Sequence, residues 1–277
     1  MLGPLLALGA AVSYGIADFG GGMLSRRRPA AAVVGVTQGS SLVVLLVGLI
    51  VVGFPDTTAW LPWSVVAGAC GAIGLVAFYR ALAFGTIGVV SPISALGFGI
   101  PVIIGLVTGD DPSSVQLLGI GIAALGAVAA SGPELKGEEH VKAQAVWLAA
   151  LSGVAFGVTI YSLTRGGESS TYLTLVGMRV TSVTGFVIAA LVMRSLGGVT
   201  VKDLPAMTAV GMMDVLANGL LAWASTMDLL SITAILSALY PVVTVGLAAV
   251  ILKERLKTIQ KIGVALAFLG IGLIAAG

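Results

Sequence analysis

Only 9% of the 277 residues are charged and 58% are hydrophobic, with a mean hydropathy of +1.11, against ~25% charged in soluble domains. Fourteen Lys and Arg against twelve Asp and Glu leave a net charge of +2, too weak a field to hold nucleic acid. Soluble enzymes, DNA-binding proteins and secreted disulfide scaffolds are excluded, and the composition is that of an integral membrane protein.

The first apolar stretch reaches Ser25-Arg26-Arg27-Arg28 with no basic segment before it, which reads as a membrane span with a stop-transfer cluster and not as a signal peptide. Further breaks fall at 55–62, 84–88, 109–114, 132–142, 165–171, 194–203, 226–231 and 253–257. Nine breaks predict ten transmembrane helices. Asp111-Pro112-Ser113-Ser114 places a capping acid before a proline at the start of span five, and Glu168-Ser169-Ser170-Thr171 offers caps for span seven. Trp60, Trp63 and Trp147 lie at loop borders and read as interface anchors.

The chain also repeats itself. Leu6-Ala7, Val12 and Gly15 match Leu148-Ala149, Val154 and Gly157 at an offset of 142, and Ser94-Ala95-Leu96 recurs as Ser237-Ala238-Leu239. Gln116, Gly119, Ala123 and Gly126 then match Gln260, Gly263, Ala267 and Gly270 at an offset of 144. Residues 1–132 and 144–277 are thus two five-helix units joined by a loop at 133–143. An odd number of crossings turns the second unit upside down, which predicts an all-α fold of two inverted repeats around a central cavity.

Twelve of the fourteen basic residues fall after odd-numbered spans. The positive-inside rule makes that face cytoplasmic and puts both termini outside.

Charges within spans are costly and are the first functional candidates. Arg179 and Asp214 lie nearest the midplane, at ~14 Å depth by helical rise. They read either as partners for a substrate carboxylate and amine or as a structural ion pair, with Asn218 one turn beyond Asp214. Asp18 and Arg80 read as a gate pair, or Arg80 as a snorkelling side chain. Tyr14, Tyr79, Phe156, Trp223 and Tyr240 offer flat faces to a substrate, and Gln38, Ser94 and Ser237 offer hydrogen bonds. Pro92, Pro101 and Pro241 lie within spans four and nine as hinges or static kinks.

Other chemistries find no support. Gly119-Ile-Gly121-Ile-Ala-Ala124 follows no strand and lies in a span, so it is not a dinucleotide fingerprint. His140 and Cys70 stand apart from any ligand set, so no metal or other cofactor is expected. No nucleophile–base constellation argues for an enzyme.

Ser13-Tyr14-Gly15 and Ala155-Phe156-Gly157, then Phe78-Tyr79-Arg80-Ala81-Leu82 with Ser91-Pro92 and Pro101, resemble elements of the EamA repeat. The sharpest likeness is Ser237-Ala238-Leu239-Tyr240-Pro241 followed by Leu252-Lys253-Glu254-Arg255-Leu256, while the first repeat has Gly109-Asp110-Asp111 where Gly-Glu-Arg is usual. The whole chain resembles the drug/metabolite transporter superfamily, and within it the YddG-like amino-acid exporters. That resemblance implies a monomeric exporter of aromatic and other neutral amino acids in a bacterial inner membrane, its partners being a small-molecule substrate and the lipid bilayer. A carrier of another metabolite class, or a channel or structural membrane protein, is the alternative. Uniport and proton antiport are not separated by these residues.

Overall fold

A computed structural model of the chain describes residues 2–52, 57–84, 90, 93–130, 143–195, 197–251, 253 and 257–277. Ser91, Pro92, His140 and residues 133–142 of the connecting loop lie outside the described residues. Among the described residues the fold is all helix, with no strand.

The helices are α1 (Leu2–Ser25), α2 (Ala30–Val52), α3 (Trp60–Phe84), α4 (Gly99–Thr108) and α5 (Ser114–Ala130), then α6 (Ala143–Met193), α7 (Leu204–Ala224), α8 (Leu230–Ser237), α9 (Tyr240–Ile251) and α10 (Thr258–Ala276). Among the described residues, seven helical stretches are long and apolar enough to cross a membrane, and the apolar helices Ile93–Thr108 and Ser114–Ala130 are shorter.

The helix boundaries refine the sequence-based expectation in three places. The break expected at 165–171 is not a loop, because helix runs through it except at Ser170 (φ −166°, ψ 104°). The extended Ser170 kinks α6 and caps the second arm: its Oγ accepts the Leu173 N–H at 3.3 Å. The cap of α5 is Ser113 and not Asp111. The Gln116 N–H donates to Ser113 Oγ at 3.2 Å while the Ser113 N–H donates to Gln116 Oε1 at 2.9 Å, a reciprocal box that leaves Asp111 exposed. Pro101 and Pro241 sit in the first turns of α4 and α9. Pro101 follows the 3-10 turn Leu96–Phe98 at the start of α4, and Pro241 follows the break at Ala238-Leu239 at the start of α9. A first-turn proline lacks only an N–H that had no helical partner, so it starts a helix without loss.

Packing rests on small residues. A Cβ on Gly126 would come 2.5 Å from the Ala267 N, and one on Gly270 would come 2.6 Å from the Ala123 N, so α5 and α10 touch backbone to backbone. The close approaches elsewhere are reciprocal as well. Gly157 of α6 abuts the Gly97 carbonyl, and its counterpart Gly15 of α1 abuts the Tyr240 carbonyl. Ser94 donates to the Ala149 carbonyl at 3.3 Å, and its counterpart Ser237 donates to the Ala7 carbonyl at 3.4 Å. The outward faces carry apolar side chains such as Ile50, Val107 and Val192, each at least 79% exposed, a surface suited to lipid and not to water.

Candidate functional site

Helices α1, α2, α3, α6, α7 and α9 and the Leu96–Phe98 turn surround a cavity of about 510 Å³, counting its open part. Its walls are mostly apolar, supplied by Leu75, Phe98, Phe156, Ile160 and Met178. Phe98 and Tyr240, one from each broken span, stack with ring centroids 5.6 Å apart at its edge.

The polar floor is built from three helices. Arg179, on the second arm of α6, is fully buried and donates through Nη2 to Asp214 Oδ2 of α7 at 2.5 Å. Asn218 lies one turn on from Asp214 and donates through Nδ2 to the Asp214 carbonyl at 2.7 Å and to Asp214 Oδ1 at 3.3 Å. Tyr14 Oη of α1 donates to Asn218 Oδ1 at 3.0 Å. The chain Tyr14–Asn218–Asp214–Arg179 therefore ties the first half to the second across the cavity.

Several polar atoms around this network stay unpaired. Arg179 Nε and Nη1, both ends of the Gln38 amide and the Tyr240 hydroxyl are buried with no hydrogen-bond partner. Buried polar groups are rarely left so, since each costs ~1–3 kcal/mol unpaired. Arg179, Gln38 and Tyr240 all border the cavity, where a ligand would satisfy them.

The other expected residues divide plainly. Asp18 and Phe156 line the cavity. Tyr79 is buried beside it, packed on Phe78 at 5.9 Å between centroids, with Phe78 in turn 6.0 Å from Phe156. Ser94 and Ser237 do not line it. Ser94 meets Ser152 Oγ at 2.6 Å, and Ser237 donates to the Ala7 carbonyl at 3.4 Å, so both staple helices together. Trp223 is 52% exposed and stands on the outer surface of α7. Pro101 and Pro241 are buried in their first turns.

The gate pair Asp18–Arg80 is not formed. The three ion pairs among the described residues are Arg28–Asp203 at 2.9 Å, Arg165–Glu168 at 2.6 Å and Arg179–Asp214. Consecutive residues on a helix point ~100° apart, so with Tyr79 turned inward Arg80 is carried to the exposed side. Asp18 faces the cavity instead.

Sequence reasoning missed Gly71, Leu75, Phe98, Thr159, Ile160 and Met178 as lining residues. Helical spacing held part of the signal, because Thr159 and Ile160 lie three and four residues beyond Phe156 and share its face. Phe98 gave none, since its place depends on the 3-10 turn. Among the described residues no group of three or more His, Cys, Asp or Glu side chains comes together to hold a metal.

Residues 143–276 match the model of the EamA-like transporter family. No curated protein matches the chain. One solved crystal structure superposes with a TM-score of 0.74 at 16% identity, covering 97% of this chain and 96% of that one, a likeness of fold. A multi-pass helical membrane chain around a mostly apolar cavity agrees with the match, and residues 143–276 form a domain of the EamA-like transporter family, in the drug/metabolite transporter superfamily, whose members are membrane transporters and not enzymes.

Proposed function

We propose that the protein is a YddG-like secondary exporter of small amphipathic metabolites, chiefly aromatic and other neutral amino acids, working by alternating access in a bacterial inner membrane. The chain then crosses the membrane ten times as two inverted five-helix repeats, residues 1–132 and 144–277, and acts as a monomer. The count takes the seven long apolar stretches, divides the 50-residue one among them at Ser170, and adds the two shorter apolar helices. Support for the duplication comes from paired contacts at the repeat offset: Ser94 with Ala149 against Ser237 with Ala7, and Gly157 with Gly97 against Gly15 with Tyr240.

The observation that carries the substrate reading is the buried Arg179. Its Nη2 is held by Asp214, while Nε and Nη1 remain unpaired at an otherwise apolar cavity. A carboxylate is the group best suited to accept a charge-assisted hydrogen bond from a free guanidinium N–H, and the aromatic and aliphatic walls suit an apolar side chain. Few other cations border the site, which disfavours a strongly anionic cargo such as a sugar phosphate. Spans four and nine each tighten locally beside the cavity, at the Leu96–Phe98 3-10 turn and at Ala238-Leu239, and irregular helices at a repeat interface are where a carrier both binds and rocks.

Counterflow in liposomes tests this reading. Labelled phenylalanine, tryptophan and threonine enter saturably against matching internal pools, and a labelled sugar phosphate does not. Saturable counterflow of the sugar phosphate without the amino acids overturns the substrate class, and flux that never saturates replaces the carrier by a channel.

A further inference from the structure

The titratable groups that border the cavity are Arg179, Asp214, Asp18, Tyr14 and Tyr240. Beside the tyrosines these are one guanidinium and two carboxyl groups. Arg179 and Asp214 cancel each other at 2.5 Å. Asp18 makes no hydrogen bond or ion pair with any described residue, although α1 carries it into the same cavity. Its i−4 neighbour Tyr14 is already turned to Asn218, and Arg80 is directed outward. One carboxyl group of the site is left without a partner among the described residues. An unmatched carboxylate within a membrane protein is costly and marks a place where a cation binds.

We propose that Asp18 is the residue that selects the cargo's ammonium group, while Asp214 serves as the fixed counter-ion that holds Arg179. A zwitterion then spans the cavity, its carboxylate on an Arg179 N–H that Asp214 leaves free and its amine on Asp18. This moves the amine partner from Asp214, where depth in the span had placed it, to the carboxylate that has nothing else to hold. The inference rests on the amino-acid reading for the carboxylate end of the cargo but not for the amine end, which follows from the unpartnered Asp18 carboxyl at the cavity.

The test compares wild type with Asp18→Asn and Asp18→Glu, using three probes of one shape: phenylalanine, phenethylamine, which lacks the carboxylate, and 3-phenylpropionate, which lacks the amine. Binding is read as a shift of the thermal unfolding midpoint of the purified full chain, and transport as counterflow of phenylalanine in liposomes. In wild type phenylalanine and phenethylamine raise the midpoint and 3-phenylpropionate does not. In Asp18→Asn the phenethylamine shift is lost and phenylalanine affinity falls roughly tenfold or more, the loss of one charge-assisted contact. Asp18→Glu retains the phenethylamine shift, which separates the charge from a merely structural role.

An Asp18→Asn protein that binds phenethylamine and carries phenylalanine as wild type does overturns the inference and leaves the transport reading standing. Phenethylamine binding that depends on Asp18, with no phenylalanine counterflow, upholds the inference and removes the amino-acid reading. A wild type stabilised by 3-phenylpropionate but not by phenethylamine overturns the inference even if neither variant folds.

Discussion

At the scale of single residues the Arg179–Asp214 pair decides both stability and chemistry. The guanidinium is fully buried and the carboxylate nearly so, so removing one partner strands the other charge. Arg179→Met and Asp214→Leu each lower stability by ~3–5 kcal/mol, whereas the double variant recovers most of that loss because both charges leave together. Thermal unfolding in detergent measures the cycle. Equal, additive losses in the double variant would show that the two side chains do not act as a pair. The double variant also loses phenylalanine counterflow while remaining folded, which distinguishes binding from packing. The intramembrane charges were legible in the sequence because charge in an apolar run is rare. Their pairing by role was not: Asp18 and Arg80 lie on one side of the membrane by depth, yet their directions around their helices send one inward and the other out.

At the scale of elements, glycine sets how closely helices approach. A Cβ on Gly157 would stand 2.4 Å from the Gly97 carbonyl oxygen, backbone that cannot swing aside, while one on Gly121 would meet nothing within 4 Å. Gly157→Leu therefore lowers the unfolding midpoint, by an overpacking cost of ~1–3 kcal/mol or more, and Gly121→Leu leaves it unchanged within error. A neutral Gly157→Leu would mean that the crossing of α6 on the Leu96–Phe98 turn is looser than the structure has it. Composition makes glycine plentiful without saying which positions touch, since contact depends on the face each one occupies. The kink at Ser170 follows the same logic. A polar stretch signals an interruption, but a single extended residue with its own side-chain cap is enough to make it.

At the scale of the whole molecule, charge sets orientation. Arg28 of the α1–α2 turn pairs with Asp203 at the start of α7, and Asp110 beyond α4 accepts the Ser231 N–H at the start of α8 at 2.7 Å. With ten crossings the first contact lies on the basic face and the second on the opposite one. In a Cys70→Ser background, a cysteine at Asp111 reacts with an impermeant maleimide in intact cells, and one at Arg27 reacts only after permeabilisation. The reverse pattern would place both termini inside and reverse the two mouths.

The sequence by itself determined the membrane class, the helical composition and most boundaries, and it carries internal matches at offsets of 142–144. These depend on hydrophobicity summed over whole segments and on internal matches, which survive without knowledge of contacts. Only the tertiary structure decided which candidates share a site. It left Trp223 on the outer surface, made staples of Ser94 and Ser237, and brought Gln38 and Asp18 to the cavity. The reason is geometric. A side chain's direction around a helix, and the break that resets it at Phe98 or Tyr240, has meaning only relative to neighbouring helices, and an ion pair 35 residues apart in sequence forms only when two of them pack.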